Sequence, residues 1–399
     1  MILNIHKQGI GKFVAIFFLL LIPFVCFASD KQIKESDDEG ADFAERLPRT
    51  IFSGVQGKHH VQGVAVDLKH GFVYYSFTTS LLKTDMLGHT VGSVTGLTGH
   101  LGCITINPVN GLVYGSLEYK NDEIGQGIAG ESAADRQTAF YVAIFDVEKI
   151  NTIGMNAETD SVMKTVYLRE PVFDYSSSSI SEGYVEKHRF GCSGIDGITF
   201  APEYGKKNGK MYLNVAYGIY GDTTRKDNDY QVILAYDIRY WGNYAMTLSQ
   251  KKPHHNGPIW AAHKYFVYTG NTTYGIQNLA YDSATGNCYA AVYPGEKREF
   301  PNYSLFIIDG RRKARKEKLA GIDEPEKASV LRLLPQGLHD PESGIWGWHY
   351  DFGATGLCPL GNGFFYISKD ATTADGRHSC TLSLYRWTGI ADHPFTLVK

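Results

Sequence analysis

Residues able to transfer protons recur in this sequence beside short apolar runs. Imidazole, phenol and carboxylate groups are the usual general acids and bases of enzymes, and a nearby cation can steady the charge that develops. Several segments, far apart in the chain, carry such groups just before or just after an apolar run. The candidate catalytic residues that share this placement are His100, Glu118, Tyr119, His188, Arg189, His349 and Tyr350.

A second set of polar and aromatic residues occupies equivalent places and would bind a ligand. Tyrosine and tryptophan combine a large apolar ring with a hydrogen-bonding group, which suits an aromatic-walled polar pocket. The alternative for every member is a structural role, as a strand cap or as packing between elements. The candidate substrate-binding residues are His60, Lys120, Tyr217, Tyr274, Tyr293, Trp348 and Lys369.

Oxygen-bearing side chains stand two residues before the apolar run in four segments, at Gln62, Asp196, Gln277 and Thr355. If these positions meet at an axis, Asp196 and the neighbouring Asn278 would ligate a hard cation such as Ca²⁺. His100 with His60 or His349 would instead suit a transition-metal ion. Polar groups that bond only to backbone or water are the third interpretation.

The elements that would position these residues form a repeat of four apolar runs. The first run, a short polar turn ending in Gly and a second, Tyr-bearing run recur five times, starting at Val64, Ile104, Ile198, Leu279 and Leu357. Third runs follow at Leu81, Tyr141, Val232, Ser304 and Leu382. Weaker fourth runs are TVGSV at Thr90, MKTVYL at Met163, YAMTL at Tyr244, SVLRLL at Ser329 and the C-terminal FTLVK.

Five repeats of four short strands resemble the broad class of β-propeller repeat proteins. The resemblance covers residues 49–399 and includes no signature of a particular family. It implies an all-β fold, a β-propeller of five four-stranded blades, in which Thr50-Ile51-Phe52 adds a strand beside the C-terminus. A β-sandwich with coincidental hairpins is the alternative.

The repeat also predicts which face carries a function. In a propeller meander, the loops between second and third strands share one rim with the links between blades. These loops are the long ones, including residues 118–139 and 217–230, whereas most first turns are short. Insertions that collect on one face of a repeat scaffold usually build a binding surface. We therefore expect the candidate residues to converge on a central funnel.

The N-terminus has the pattern of a targeting segment. Lys7 and Lys12 precede a short apolar run that ends before Ala28, which predicts a signal peptide over residues 1–28 and a secreted or periplasmic protein. Residues 29–48 are polar and predict a flexible leader, and residues 49–399 predict a single propeller domain with no membrane span after signal removal. The five cysteines beyond the signal do not form a disulfide framework.

Charge excludes one class of partner. The net charge of −3 does not favour nucleic acid, and the basic run RRKARKEK, Arg311–Lys318, is interpreted as a solvated hairpin tip on the opposite rim. The preferred hypothesis is an exported lyase or hydrolase that acts on an extracellular glycan or a similar polar small-molecule or polysaccharide ligand. A lyase would draw on His188, Arg189, His349, Tyr350 and Lys120, and a glycosidase would need two paired carboxylates. The alternative is a non-catalytic propeller that binds a glycan, peptide or protein.

Overall fold

A computed structural model describes residues 42–129, 137–325 and 327–399. The chain divides into two units, Met1–Arg46 and Leu47–Lys399. In the first unit, residues 42–45 form one helical turn. The predicted signal peptide and most of the predicted leader lie outside the described residues, so both remain predictions.

The second unit is a five-bladed β-propeller, as the repeat predicts. The strands up to the end of the second blade are β1 (Thr50–Val55), β2 (Val61–Asp67), β3 (Phe72–Phe77), β4 (Ser80–Asp85), β5 (Thr90–Thr95), β6 (His100–Ile106), β7 (Val113–Tyr119), β8 (Ala139–Phe145), β9 (Met155–Asn156) and β10 (Met163–Tyr167). Blade 1 is the meander β2-β3-β4-β5 with β9 added at its edge, and blade 2 is β6-β7-β8-β10.

The remaining strands are β11 (Ser178–Ser181), β12 (Tyr184–Lys187), β13 (Cys192–Pro202), β14 (Met211–Ile219), β15 (Tyr230–Tyr236), β16 (His263–Tyr268), β17 (Thr272–Asp282), β18 (Asn287–Pro294), β19 (Leu305–Ile308), β20 (Arg315–Glu317), β21 (Ala328–Leu331), β22 (Leu338–His339), β23 (Trp346–Gly347), β24 (Leu357–Gly361), β25 (Phe364–Thr372), β26 (His378–Trp387) and β27 (Phe395–Leu397). Blade 3 is β13-β14-β15-β16, extended by β21 and β20, blade 4 is β17-β18-β19, and blade 5 is β24-β25-β26 with β1. Two helices, α1 (Glu123–Ala129) and α2 (Arg169–Ser176), lie in the connections.

The first turns of blades 1, 2 and 4 follow the predicted chemistry. In blade 1 the Asp67 carboxylate accepts the backbone N–H of His70, and Gly71 closes the turn with a φ of 73°. An Asp that bonds to the backbone ahead of it, followed by Gly in the left-handed region, is the standard way to make so tight a turn. The apolar runs on either side therefore pair as antiparallel strands.

Within the described residues, four hydrophobic cores lie between successive blades and hold them together. Leu81 and Leu101 pack between blades 1 and 2, and Phe140 and Val215 between blades 2 and 3. Further cores join blades 3 and 4 and blades 4 and 5. Because each blade covers the apolar face of its neighbour, no blade buries its own core alone.

Two of the predicted fourth strands are wrong. The run at Tyr244 makes only an isolated bridge, between Met246 and Thr165 of blade 2, and the fourth strand of blade 3 is β16. The run at Ser329 pairs in parallel with β16, whereas blade 4 is completed only by the bridges Leu305–Trp348 and Ile308–Leu333. Edge strands carry weak sequence signals because one side of the ladder is unpaired and half of the strand faces solvent.

Both ends of the propeller chain pair with β26, which closes the ring. Thr50 pairs with Ser383 in β1, and Leu397 pairs with Tyr385 in β27. The predicted closure by residues 50–52 and by the C-terminal run is therefore confirmed.

We expect Phe395→Ala to destabilise the protein by roughly 3–5 kcal/mol, the usual cost of deleting a buried aromatic ring. Phe395 is buried and its ring contacts Tyr350, Phe365 and Trp387. Chemical denaturation measures the change, and Leu397→Ala in the same strand is the control because Leu397 is exposed. Equal effects of the two substitutions would contradict a packed closure.

Candidate active site

A cavity of about 340 Å³ opens on the propeller axis at the rim that carries the long loops. Blades 1 to 4 all contribute to its wall. The lining residues are His59, His60, Gln62, Thr78, His100, Glu118, Lys120, Ile124, Ile128, Ser193, Gly194, Ile195, Asp196, Gly218, Tyr274, Gln277 and Tyr293. Of the predicted site residues, this cavity brings together His60, His100, Glu118, Lys120, Tyr274, Tyr293 and Asp196.

Bulges in the innermost strands place polar side chains on the axis. The pairing register shifts between Val61 and Gly63 in β2, between Ile195 and Ile198 in β13, and between Ile276 and Asn278 in β17. A bulge redirects the residue that it contains. Gln62, Asp196 and Gln277, the aligned polar residues of the repeat, lie at these shifts and line the cavity.

Strand β7 contributes a polar face to the cavity and an apolar face to the core. Successive side chains of a strand point to opposite faces, so Glu118 and the following Lys120 share one face. The intervening Tyr119 points the other way, packs against Tyr141 in the core between blades 1 and 2, and donates its hydroxyl to Gln250. Tyr119, predicted to be catalytic, therefore lies in this core and outside the cavity wall.

We expect Tyr119→Phe to leave catalytic activity within about twofold of the wild type and to cost roughly 1 kcal/mol of stability, the net value of one hydrogen bond. The ring keeps its packing, and the hydrogen bond to the Gln250 side chain is lost. A steady-state assay and a denaturation curve measure the two effects. A large fall in kcat would place Tyr119 in the reaction after all.

Glu118 and Lys120 form a buried ion pair in the cavity wall. The Glu118 Oε1–Lys120 Nζ distance is 2.7 Å, Lys120 also lies 3.4 Å from Asp122, and its ammonium donates to the Ser193 carbonyl. The other Glu118 oxygen accepts the backbone N–H of Ile195. Desolvation opposes the charge on Lys120, but Glu118 and Asp122 outweigh it and raise the lysine pKa above its ordinary value. Burial raises the Glu118 pKa, and the Lys120 charge together with the Ile195 N–H opposes that rise.

Asp196 lies in the same cavity but has no cation of its own. Its Oδ1 accepts the backbone N–H of Cys103 at 3.1 Å. The carboxylate occupies space that a side chain at Gly102 would fill, because a Cβ there would lie 2.2 Å from Oδ1. Burial, with the negative charge of Glu118, raises the Asp196 pKa well above its ordinary value. Asp196 therefore holds a proton to higher pH than an exposed aspartate.

Imidazoles form the blade 1 side of the mouth. His60 contacts the ring of His378, whose Nδ1 lies 2.8 Å from the Asp370 carboxylate. Burial lowers the pKa of His60 and of His59. Burial, with the charge on Lys120, lowers the pKa of His100 to about 3. These rings are therefore neutral hydrogen-bonding groups near neutral pH, and the His100 Nδ1 has no hydrogen-bond partner among the described residues.

Asn278 follows the cavity residue Gln277 in β17 and is buried. Its Nδ2 donates to the carbonyls of Gln62 and Ala354, and its Oδ1 accepts from the Cys103 thiol. One side chain of blade 4 thus bonds to blades 1, 2 and 5 across the axis. The Ca²⁺ prediction for Asp196 and Asn278 gains no support here, because the amide nitrogen and the amide oxygen of Asn278 already make these hydrogen bonds. Among the described residues no group of three His, Cys, Asp or Glu side chains could hold a metal ion, which also removes support for the transition-metal alternative.

Helix α1 supplies an apolar cover to the blade 2 side. Ile124 and Ile128 lie four residues apart, hence on one face of the helix, and both line the cavity. The insertion between β7 and β8 that contains them was predicted to be part of the working face. The spacing of the two isoleucines was the available signal for this role, and sequence analysis did not use it.

The other predicted residues lie outside the cavity wall. His188 packs between Tyr175 and Tyr220, while Arg189 lies 3.9 Å from Asp174, which also accepts the Tyr217 hydroxyl. Four more of the predicted residues lie near blades 4 and 5. Trp348 is fully buried in the core that these blades share, and Tyr350 packs on Phe352 and Phe395. His349 is exposed beside Tyr303, and Lys369 is exposed on β25.

Comparison with known proteins does not assign a function. No family model matches the chain, and no curated protein matches it. Among solved structures, the pyranose dehydrogenase PQQ domain from Coprinopsis cinerea shares 10% identity at a TM-score of 0.33, over 82% of this chain and 83% of that one. A GH43 β-1,3-galactosidase shares 11% at 0.39, over 85% and 96%. A GH43_1 enzyme from Xanthomonas citri, complexed with xylotriose, shares 11% at 0.36, over 87% and 93%. These likenesses are too remote to indicate an activity.

Proposed function

We propose that the protein is an exported glycoside hydrolase that acts on a neutral saccharide in the axial cavity. One observation carries the proposal. Two buried carboxylates, Glu118 and Asp196, line the same cavity in different electrostatic settings. Burial raises the pKa of both carboxyl groups, but Lys120 lies 2.7 Å from Glu118 and opposes the rise there, whereas Asp196 has no such partner and its pKa is raised well above its ordinary value, so the two settings favour the proton on Asp196. Two carboxyl groups whose environments separate their protonation states are the requirement for glycosidic bond hydrolysis.

The two groups take different roles. Asp196 donates its proton to the glycosidic oxygen, so that the leaving sugar departs as an alcohol. Glu118 stabilises the positive charge that develops on the other sugar ring, and it accepts a proton from the water that attacks. Before the next cycle Asp196, left ionised, regains a proton from solvent, and Glu118 releases to solvent the proton that it took from the water. Lys120 positions Glu118 and does not itself contact the reacting atoms in this scheme.

The charge of the cavity favours a hydrolase over a lyase. A polysaccharide lyase needs a cation to neutralise the substrate carboxylate before proton abstraction. Lys120 is the one Lys or Arg among the described lining residues, and Glu118 and Asp122 already neutralise it. Arg189, the other predicted cation, is outside the wall. An uncharged sugar therefore fits better than a uronate.

The remaining wall suits hydroxyl groups. Gln62, Gln277 and Thr78 offer amide and hydroxyl groups, and Tyr274 and Tyr293 present two rings at right angles, 6.4 Å apart. Neutral donors and acceptors beside aromatic faces match the alternating hydroxyls and apolar faces of a sugar ring. The substrate's place outside the cell rests on the predicted signal peptide.

Hydrolysis of a panel of neutral and uronate-containing polysaccharides and aryl glycosides tests the proposal. We expect release of neutral sugars by the wild type and no unsaturated products, with Glu118→Gln as the inactive control. Unsaturated uronate products would show a lyase, and turnover that survives Glu118→Gln would remove this site from the reaction.

A non-catalytic saccharide-binding propeller is the second candidate, favoured by Tyr274. Its ring is about half exposed at the mouth, as a ring that stacks on a passing sugar would be. Calorimetry with the same panel separates the two functions. A binder retains its ligand unchanged after long incubation, and Tyr274→Ala weakens it, whereas a hydrolase converts the ligand.

A further inference from the structure

The rim opposite the cavity combines a basic sector with apolar loop tips. Strand β13 starts at the cavity, where Asp196 lies, and ends at Pro202. Six residues of strand separate the two, which corresponds to about 20 Å. The turn after Pro202 and all other first turns therefore lie on the far rim. Ile308 lies at the same rim. It pairs with Cys288, which is near the end of β18 that follows the first turn of blade 4.

The basic sector comes from blades 3 and 4. Residues 203–210 and 309–318 contain nine lysines and arginines and three acidic residues. The two segments are in contact: the Gly205 N–H donates to the Gly310 carbonyl, and a Cβ at Gly205 would lie 2.3 Å from the Lys313 side chain. The protein as a whole carries a net charge of −3, so this sector is a local concentration of opposite sign.

Several of these cations have no carboxylate partner among the described residues. Asp309 pairs with Arg311 and Arg312, and Glu203 pairs with Lys206. Lys313, Arg315 and Lys316 are exposed and form no ion pair within the described part of the chain. Their charge is available to a partner.

Blades 1, 2 and 5 present apolar side chains on the same rim. Val109 lies in the first turn of blade 2 and is 87% exposed, and Leu87, in the β4–β5 turn, is 73% exposed. Ile390 follows the far end of β26 and is 59% exposed. Tips of short turns have no packing reason to carry Leu, Val and Ile, since polar residues stabilise turns better. Lone exposed apolar residues are common, but these lie on one rim beside the basic sector.

We propose that this rim docks the propeller on an anionic lipid bilayer. Cations bind the headgroups, and the apolar tips enter the interface, which is how peripheral proteins hold to membranes that they do not cross. A bilayer fits better than a soluble polyanion, because a charged polymer would not bury Val109, Leu87 and Ile390. No helix in the described residues is long and apolar enough to span a bilayer. Docked in this way, the mouth of the cavity faces away from the lipid and stays open to substrate.

Co-sedimentation with lipid vesicles tests the proposal, with the intact mature protein. We expect binding to vesicles of phosphatidylcholine with phosphatidylglycerol, weak binding to phosphatidylcholine alone, and loss in high salt. The basic-rim variant, Lys313→Gln with Arg315→Gln and Lys316→Gln, should bind roughly 10- to 100-fold more weakly, since each cation near an anionic surface contributes about a tenfold or smaller factor. The tip variant, Leu87→Ser with Val109→Ser, should also lose affinity.

The matched control removes three cations elsewhere. Lys187, Lys251 and Lys252 are exposed and lie outside both rim segments, so their replacement by Gln should leave vesicle binding unchanged. Thermal melting confirms that each variant is folded. The proposal is overturned if the anionic vesicles are not bound, if the control weakens binding as much as the basic-rim variant, or if heparin is bound while vesicles are not.

Discussion

Glu118→Gln should lower kcat/KM by roughly 10³-fold, within the 10²–10⁴ range for removal of a group that transfers a proton in the transition state. The amide keeps the size of the side chain and can still accept the Ile195 N–H, but it carries no charge. It can neither accept a proton from water nor stabilise a positive sugar ring. Steady-state kinetics on whichever neutral saccharide the panel identifies measures the loss.

The buried lysine complicates this substitution. Lys120 is almost fully buried and loses its closest counter-ion, which costs roughly 3–5 kcal/mol when one partner of a buried pair is removed. Part of the lost activity would then reflect unfolding. The double variant Glu118→Gln with Lys120→Met removes both charges, and we expect it to recover most of the stability.

Activity and stability should therefore separate in these two variants. The double variant should melt near the wild type and remain inactive, because the carboxylate is still missing. Recovery of activity along with stability would show that Glu118 acts through the fold alone.

The sequence predicts the propeller because its signals are local and repeated. Each first turn needs an Asp or Asn and a Gly, and each inner strand is apolar on both faces, so five copies in the same order identify the blades. The outer strands repeat less well. The edge of blade 4 consists of isolated bridges at Leu305 and Ile308, and no periodic run corresponds to them.

The candidate site was predictable to the level of the rim but not of the side chain. Residues at the start of an inner strand, such as His60 and His100, reach the cavity because the strand itself leads there. Tyr119 and Lys120 show the limit: one residue of register decides between core and cavity, and sequence reasoning placed both in the site. Trp348 shows another limit, since a long link can fold back into a core between blades.

Asp196 was found by its place in the repeat, but the contacts that support an acid role for it are not visible in the sequence. Its alignment with Gln62 and Gln277 correctly placed it at the axis, and oxygen ligands on an axis suggested a cation. The hydrogen bond from the Ile195 N–H to Glu118, and the space at Gly102 that the Asp196 carboxylate occupies, arise only when blades 2 and 3 meet. Glu118 and Ile195 are 77 positions apart, and Gly102 and Asp196 are 94 positions apart, so no local pattern contains these contacts.

Asp196→Asn should remove the general acid and leave the fold intact. The amide oxygen can accept the same N–H of Cys103, so this contact between β6 and β13 is preserved. We expect kcat/KM to fall by about 10²–10⁴-fold on substrates whose leaving group is a sugar. Aryl glycosides with an acidic phenol should be affected much less, because such a leaving group departs without protonation. With the aryl substrate, the pH profile of the variant should lack the alkaline limb that the wild-type profile shows. Equal losses on both substrate types would exclude Asp196 as the acid.

The raised pKa of Asp196 also predicts how the stability of Asp196→Asn, relative to the wild type, changes with pH. An unfolded aspartate ionises near pH 4, whereas folded Asp196 holds its proton to higher pH. Between those two values the folded state binds more protons than the unfolded state, so the wild type loses stability as pH rises through this window. Asparagine does not titrate. The free energy of unfolding of Asp196→Asn should therefore match that of the wild type below about pH 4. Above the folded pKa of Asp196 it should exceed the wild-type value by roughly 1.4 kcal/mol for each unit by which folding raises that pKa. Denaturation curves across the window measure the difference. A wild type that instead became relatively more stable with rising pH would mean that Asp196 is ionised in the folded protein, and the assignment of acid and base would have to be reversed.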